Sequence, residues 1–459
     1  MMTSRAAVAS RFLAFLGSRR IEYCVVGDVR RLPAEIHSDI DIVVDPRALQ
    51  HLPTDLLEFC AGNELQLVQC LRHEVDAFYF VLSWLGDGGR PNFLHLDLCA
   101  DYCRGGALFL TARELLAGRV EAVASNGTPK GFFVASPSRA FIYYLLKRVD
   151  KASLDERHGE FLSAEWHRDP VAALEGVHRF WTGAHARTIA EAADTGRWGM
   201  VVAALTELRR ELRRRARRPH RGLGPELARR LGRVLRPTGV LIAMVGPDGS
   251  GKSTLAEIVV RDLAPAFRRT RSVHFRPQVG RRHAPGAPVT DPHGQPSRGF
   301  FGSVAKAAYY LCDFVVGYVW QVRPHLVRST LFLFDRYVYD LEADSKRFRY
   351  GGPRSVLGIV RRFTPQPDLV ILLDAPPDVL RARKPELPPA EVAQIAERYR
   401  RVVGGLPNGS IVDAARPIPE VAASVEAAVL RFMAARMQRR MRRSARDSGH
   451  LTVRTAGAS

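Results

Sequence analysis

A chain of 459 residues is too long for one ordinary core and predicts two or three domains. Apolar residues make up 46%, which excludes a largely disordered chain, and no run of about 18 uncharged apolar residues occurs to suggest a membrane-spanning helix. The formal charge of +21 invites an anionic partner, but segments 209–236 and 431–459 carry +10 and +7 of it. The first holds twelve arginines against Glu211 and Glu226, the second eight against Asp447. These stretches read first as a solvated basic linker and tail, then as a contact for an anionic membrane surface, and least as a nucleic-acid site. Six cysteines without a CxxC pair, and a start with no clear cleavage site, point to reduced thiols in a cytoplasmic protein.

The chain opens on an amphipathic helical pattern, "MMTSRAAVASRFLAFLGSRR". Residues 1–135 then mix short apolar runs with turn signals, which predicts an α/β unit. Asp39 and Asp41 stand two apart on a candidate strand, so both carboxylates point to one face. Asp97, in "FLHLDL", supplies a third on a strand able to lie alongside. Such a set can hold a divalent metal together with a triphosphate. Residues 136–208 turn helical, with Phe141, Tyr144, Leu145 and Arg148 at helical spacing. Segment 209–238 is a basic linker broken at Pro219, Gly222, Gly224 and Pro237.

From 239 to 432 five apolar runs alternate with helical stretches, which predicts a parallel sheet covered on both faces. "AKAAYYLCDFVVGYVWQV", with Asp313 at its middle, reads as a buried helix of this unit. Residues 433–459 are expected to fray or stay disordered.

Between the first run and the first helix, Gly246 to Ser253 fits G-x-x-x-x-G-K-[ST]. Gly246, Gly249, Ser250 and Gly251 let backbone N–H groups close around phosphate oxygens. The helix start through Thr254 adds its positive end. Lys252 reaches the β- and γ-phosphates as a point charge, and the Ser253 hydroxyl can hold Mg²⁺. "TLFLFDRY" places Asp335 at a strand end, where it can hold the ion or its waters, with Arg336 beside it to neutralise phosphate charge. After the fourth strand, Arg381, Arg383 and Lys384 form a cluster able to close over a transferring phosphoryl group.

The ordered signatures "GPDGSGKST", "DRY", "PDLVILLDAPPDVLRAR" and "IVDA" in residues 239–425 resemble the thymidylate kinase family of P-loop nucleoside monophosphate kinases. The resemblance implies an α/β kinase fold, ATP as co-substrate and Mg²⁺. It also implies an acidic loop residue, here Asp248, near the acceptor sugar, and a lid arginine, here Arg383 or Arg381. The acceptor side departs from the family. Where it carries D-R-x-Q, this chain keeps Asp313 but has Phe314 and Val316; where it carries R-E-P, "HFRPQ" stands, leaving Arg276 as a substitute contact. Phe314 can stack on a base but cannot pair with its edge. "PVTDPHGQPSRG" and "RFRYGGP" look like kinase-like proteins of bacterial polysaccharide gene clusters.

Residues 1–135 resemble the nucleotidyltransferase superfamily: a glycine turn, D-x-D, then a distant acid, with helices behind. Here Gly27 is followed by Asp28 rather than a small polar residue, and a carboxylate there repels a triphosphate unless neutralised.

The expected chain is therefore a nucleotidyltransferase-like domain, a helical extension, a linker and a kinase domain. It transfers a phosphoryl group from ATP–Mg²⁺ to a nucleoside monophosphate or related phosphorylated acceptor. Two rival expectations are nucleotidyl transfer onto a sugar-phosphate or polysaccharide precursor by the first domain, and a nucleotide-dependent regulator or scaffold. A homodimer is left open.

Overall fold

The computed structural model describes residues 4–104, 106–124, 126–216, 223–278 and 296–455. They form two compact units: Met1–Trp84, Asn92–Arg229 and Met437–Ser459 in one, Leu85–Pro91 and Arg230–Arg436 in the other.

The first unit is built on strands β1 (Tyr23–Val26), β2 (Ile40–Val44), β3 (Gln66–Glu74), β4 (Ala77–Leu85), β5 (Pro91–Cys99), β6 (Tyr102–Arg104), β7 (Ala107–Leu110), β8 (Val120–Val123) and β9 (Pro129–Val134). Seven of them make a mixed sheet in the order β3-β4-β5-β2-β1-β9-β8, and β6 pairs with β7 separately. Its helices are α1 (Arg5–Ser18), α2 (Pro46–Ala61), α3 (Ala112–Leu116), α4 (Pro137–Lys151), α5 (Glu156–Arg168), α6 (Pro170–Phe180), α7 (Gly183–Thr195), α8 (Gly199–Ala203) and α9 (Leu205–Arg215). Ser4 caps α1 through a hydrogen bond from the Ala7 N–H, and Val8, Phe12 and Leu16 bury one stripe of it. Pro137 starts α4, whose Phe141, Ile142, Tyr143, Leu145, Leu146 and Val149 are buried nearly all round. A helix buried on most sides belongs in the middle of a domain, and α4 packs on α5, α6, α9 and β1.

The second unit carries β10 (Val240–Val245), β11 (Arg269–His274), β12 (Thr330–Asp335), β13 (Leu369–Asp374) and β14 (Gly409–Asp413). The five strands coincide with the five apolar runs. All pairs are parallel and the order is β11-β12-β10-β13-β14. Every residue of β10 and β12 is buried, whereas the edge strands β11 and β14 are partly exposed. That contrast is why the central strands read as unbroken apolar runs. The helices of this unit are α11 (Lys252–Leu263), α12 (Phe300–Gly317), α13 (Arg323–Val327), α14 (Tyr339–Ala343), α15 (Arg354–Phe363), α16 (Pro377–Arg383) and α17 (Pro389–Gly404), with α10 (Leu223–Leu235) from Arg230 onward and α18 (Ile418–Thr455) up to Arg436. The architecture is α/β of P-loop kinase type. Among the described residues no helix is long and apolar enough to cross a membrane.

Two stretches differ from the sequence expectation. The basic linker contains helices α9 and α10, and Leu205, Leu208 and Leu212 bury one face of α9. Arg213 donates to the buried carboxylate of Asp150 at 2.9 Å, and Arg209 lies 3.9 Å from it, so part of the positive charge is paired inside the fold. The tail continues α18 through Thr455. Val421, Val425, Val429, Met433 and Met437 recur every fourth residue and are all buried, a helical stripe that outlasts the expected end at 432.

Two candidate active sites

The phosphate loop hangs between β10 and α11 at the carboxyl edge of the five-stranded sheet. Gly249 has φ +85°, and a Cβ there would lie 2.6 Å from the Leu380 carbonyl oxygen; only glycine permits both the turn and the approach. Gly251 (φ +84°) starts α11 without a side-chain cap. Lys252 is buried and donates to the Gly246 and Pro247 carbonyls at 2.8 and 2.7 Å and to Ser250 Oγ at 3.2 Å. Burial first, and then the Arg336 charge, push its ammonium down to about 8. Thr254 is exposed on the first turn.

Asp335 ends β12 opposite this turn. Its Oδ2 accepts the Ser253 hydroxyl proton at 2.8 Å and lies 3.4 Å from His274 Nδ1. Burial raises its affinity for a proton, but the hydrogen bond to His274, the Lys252 charge and the Ser253 hydroxyl outweigh that and hold the carboxyl below its usual range. Asp335 Oδ1 is buried and has no hydrogen-bond partner among the described residues. A spare carboxylate oxygen beside a serine hydroxyl is a donor set that fits a hard divalent cation such as Mg²⁺. His274 was not singled out in the sequence; its place at the end of edge strand β11, in register with Asp335, is what brings it there.

Arg336 and the loop meet through Asp248. Asp248 accepts from Arg336 at 2.5 Å, from Lys384 at 3.2 Å and from Arg347. Burial raises its affinity for a proton, but the charges of Arg336, Lys252 and Arg347 outweigh that and hold the carboxyl far below the usual range. Arg336 itself has φ +81°, a costly conformation for a side-chain-bearing residue, and is braced by Asp340 at 3.5 Å. Asp340 is fully buried and takes hydrogen bonds from the Tyr337 N–H and the Tyr399 hydroxyl at 2.8 and 2.7 Å. Of the expected lid cations, Lys384 reaches the loop. Arg383 instead donates to the Ala414 carbonyl at 2.9 Å, and Arg381 is exposed. Arg347 was missed, although it lies in the quoted stretch "RFRYGGP".

On the acceptor side, Arg276 donates to Asp313 at 2.9 Å and to the Tyr309 hydroxyl at 3.0 Å. Its guanidinium lies over the Tyr309 and Tyr310 rings, 5.0 and 5.3 Å from their centroids. Phe314 lies elsewhere. It is 1% exposed and packs edge-on against Phe275, Phe334 and Tyr337, so its ring fills the core and offers no face to a ligand. "PVTDPHGQPSRG" lies partly outside the described residues.

In the first unit Asp41 and Asp97 are register partners on the parallel strands β2 and β5, and Asp39 directly precedes β2. One carboxylate oxygen from each lies within 4.8 Å of the others, a set that fits a divalent cation. Lys147, on α4 and not expected from the sequence, contacts Asp41 Oδ2 at 2.5 Å and neutralises part of the cluster. Burial, then the charges of Asp41 and Asp39, push the Asp97 carboxyl up to about 7. The Gly27 turn (φ +93°) leads into a cleft of about 480 Å³ lined in part by Asp28, Arg30, Asp39, Asp41 and Arg157. Asp28 does not face that cleft uncompensated: Arg30 donates to its two oxygens at 2.9 and 2.7 Å.

No family model matches the chain. The chain is similar to the thymidylate kinase of Xanthomonas oryzae pv. oryzae, 28% identical over 209 residues, 44% of this chain and 88% of that protein. It is also similar to those of Xanthomonas campestris pv. campestris, 28% over 210 residues, and Xanthomonas euvesicatoria pv. vesicatoria, 27% over 209, with the same shares covered. The similarity supports a kinase-like part in less than half of the chain, and nucleotide phosphoryl transfer as its general chemistry.

Proposed function

We propose that the unit built on β10–β14 transfers a phosphoryl group from ATP to a phosphorylated acceptor, a nucleoside monophosphate or a related small molecule. The observation that carries this reading is the convergence of Lys252, Ser253 and Asp335 at one turn of the loop. Ser253 and Asp335 are the residues to hold Mg²⁺, which when bound screens the phosphate charge. Gly246 to Thr254 wrap the β- and γ-phosphates with backbone N–H groups, and Lys252 leaves its loop carbonyls to meet them. Arg336 and Lys384, both anchored on Asp248, stand where charge spreads in the transition state, and Arg381 or Arg383 can join them by lid movement. The acceptor phosphate meets Arg276 and Arg336, with Asp248 toward its hydroxyls.

The relatives' name suggests dTMP. With Phe314 in the core and Val316 two residues on, this helix has neither the arginine nor the glutamine that would read a thymine nucleotide, so dTMP is a poor acceptor. Steady-state kinetics on a panel of nucleoside monophosphates and sugar phosphates tests the reading. Turnover with one acceptor should fall about 10²-fold or more in Lys252→Ala with the fold intact. Near-normal turnover in that variant would remove the kinase reading, and a kcat/KM for dTMP far above every other acceptor would remove the specificity one.

The carboxylate cluster of the first unit favours a second activity, nucleotidyl transfer to a sugar-phosphate or polymer precursor. Its mark is a reaction lost in Asp39→Asn and kept in Lys252→Ala.

A further inference from the structure

Arg336 is held from two sides by carboxylates on different elements of the second unit. Its Nη2 donates to Asp248 of the phosphate loop at 2.5 Å, and its Nη1 lies 3.5 Å from Asp340 on α14. Its backbone N–H is tied to the Met244 carbonyl of β10 at 2.9 Å. The guanidinium Nε is buried and has no hydrogen-bond partner among the described residues, so one donor of the fork is unspent.

Asp340 is as firmly held as the arginine it faces. Its Oδ2 accepts the Tyr337 N–H at 2.8 Å, and its Oδ1, the oxygen facing Arg336, accepts the Tyr399 hydroxyl proton at 2.7 Å. Tyr399 is buried on α17, which packs on α14 and α16. The same stretch of chain meets the phosphate loop at its other end. Lys384, between α16 and α17, donates to Asp248 Oδ2 at 3.2 Å, and a Cβ on Gly249 would lie 3.4 Å from Lys384 Cβ. The contacts close a ring: Asp248 to Arg336, to Asp340, to Tyr399, and back along α17 to Lys384 and Asp248.

A buried ion pair gives little net stability over apolar packing of the same volume. What this pair does supply is orientation, since it fixes a cation beside the loop that wraps the phosphates. We propose that Asp340 and Tyr399 are positioning residues for phosphoryl transfer. They hold the Arg336 guanidinium at the phosphate loop with its Nε left for a phosphate oxygen, and they make that pose depend on α17 being docked against α14. Neither touches the substrate. The inference rests on the kinase reading of the same loop and adds to it the link between the lid segment and Arg336.

The test is steady-state turnover of the full chain with ATP–Mg²⁺ and the fastest acceptor of the panel above. Tyr399→Phe keeps the buried ring and removes only the hydroxyl. Its kcat should fall roughly tenfold, the scale of one hydrogen bond to a charged group, with the KM for ATP nearly unchanged. Asp340→Asn should lose at least as much. The decisive measurement is a double-mutant cycle with Arg336→Lys, which keeps a charge but cannot fork between two carboxylates. In that background Tyr399→Phe should cost little further, because the hydroxyl acts only through the arginine. An equal loss with and without the arginine, or an unchanged kcat in Tyr399→Phe, overturns the inference alone. If Asp340→Asn fails to fold, the Tyr399→Phe cycle decides by itself. No turnover of any acceptor by the unsubstituted chain overturns the kinase reading and the inference with it.

Discussion

Ser253 donates its hydroxyl proton to Asp335 Oδ2 across 2.8 Å, tying the first turn of α11 to the end of β12. The pair joins the phosphate loop to the end of β12, and leaves Asp335 Oδ1 buried without a partner among the described residues. Asp335→Asn keeps the size and an oxygen acceptor for Ser253 but removes the charge. Magnesium-dependent turnover should fall about 10²-fold or more, while nucleotide binding without metal changes little. Turnover across a magnesium series, set beside metal-free binding, decides it; equal losses in both would make Asp335 a structural acid.

The end of the second unit gives a prediction that the sequence alone reversed. Ending the chain after Arg431 looks harmless if the tail is solvated. In the structure Met433 is buried, and Arg436 donates to the Gly239 and Thr238 carbonyls at 2.8 and 2.9 Å, at the entry to β10. Ending after Arg431 should therefore cost several kcal/mol, the scale of a buried Met plus two charge-assisted hydrogen bonds. Ending after Arg443 should leave these contacts and the unfolding midpoint in place. Urea unfolding of both truncations separates the two accounts.

Much of this site was legible because its chemistry is local in sequence. The loop, Lys252, Ser253 and the strand-end Asp335 lie in contiguous motifs whose apolar flanks announce their strands. What escaped was tertiary. Arg347 reaches Asp248 across a sequence separation of 99, and Lys147 reaches Asp41 across 106. No periodicity reports such pairings. Phe314 was misplaced for a related reason: position in a motif fixes where a residue sits along a helix but not whether its neighbours enclose it. Asp28 was read as a repulsive charge because the bend that brings Arg30 onto it is a property of the turn. In α18 the buried four-residue repeat was present in the letters, but the arginines between drew the reading toward a solvated tail.

The carboxylate cluster of the first unit should bind a divalent ion in competition with Lys147. In an Asp335→Asn background, which removes the carboxylate proposed to hold metal in the second unit, Asp41→Asn should weaken Mn²⁺ binding about tenfold or more. Lys147→Met should tighten it, because it removes an ammonium 2.5 Å from a ligand oxygen. Calorimetric or magnetic-resonance titration reads both. Mn²⁺ affinity unchanged in both variants would mean that these acids only pair with neighbouring cations.

The last prediction concerns pH. Glu426 on α18 is 1% exposed, and its Oε1 has no hydrogen-bond partner among the described residues. Burial, then the charge of Asp262 and a hydrogen bond with it, push the carboxyl from 4.5 up to about 7, against the opposing charges of Arg90 and Arg261. A carboxyl with a raised folded pKa binds its proton more tightly in the folded state. Its contribution is thus fully present below about 4.5, is lost as pH rises toward about 7, and is constant above that. At about 1.4 kcal/mol per pKa unit the whole loss is ~3–4 kcal/mol. Glu426→Gln keeps the neutral shape and cannot ionise, so its stability should not fall across this window. Urea unfolding of both proteins at pH 5 and pH 7.5 should therefore show the wild type losing ground to the variant at the higher pH. A constant difference between the two would mean that Glu426 is ionised, or neutral, throughout.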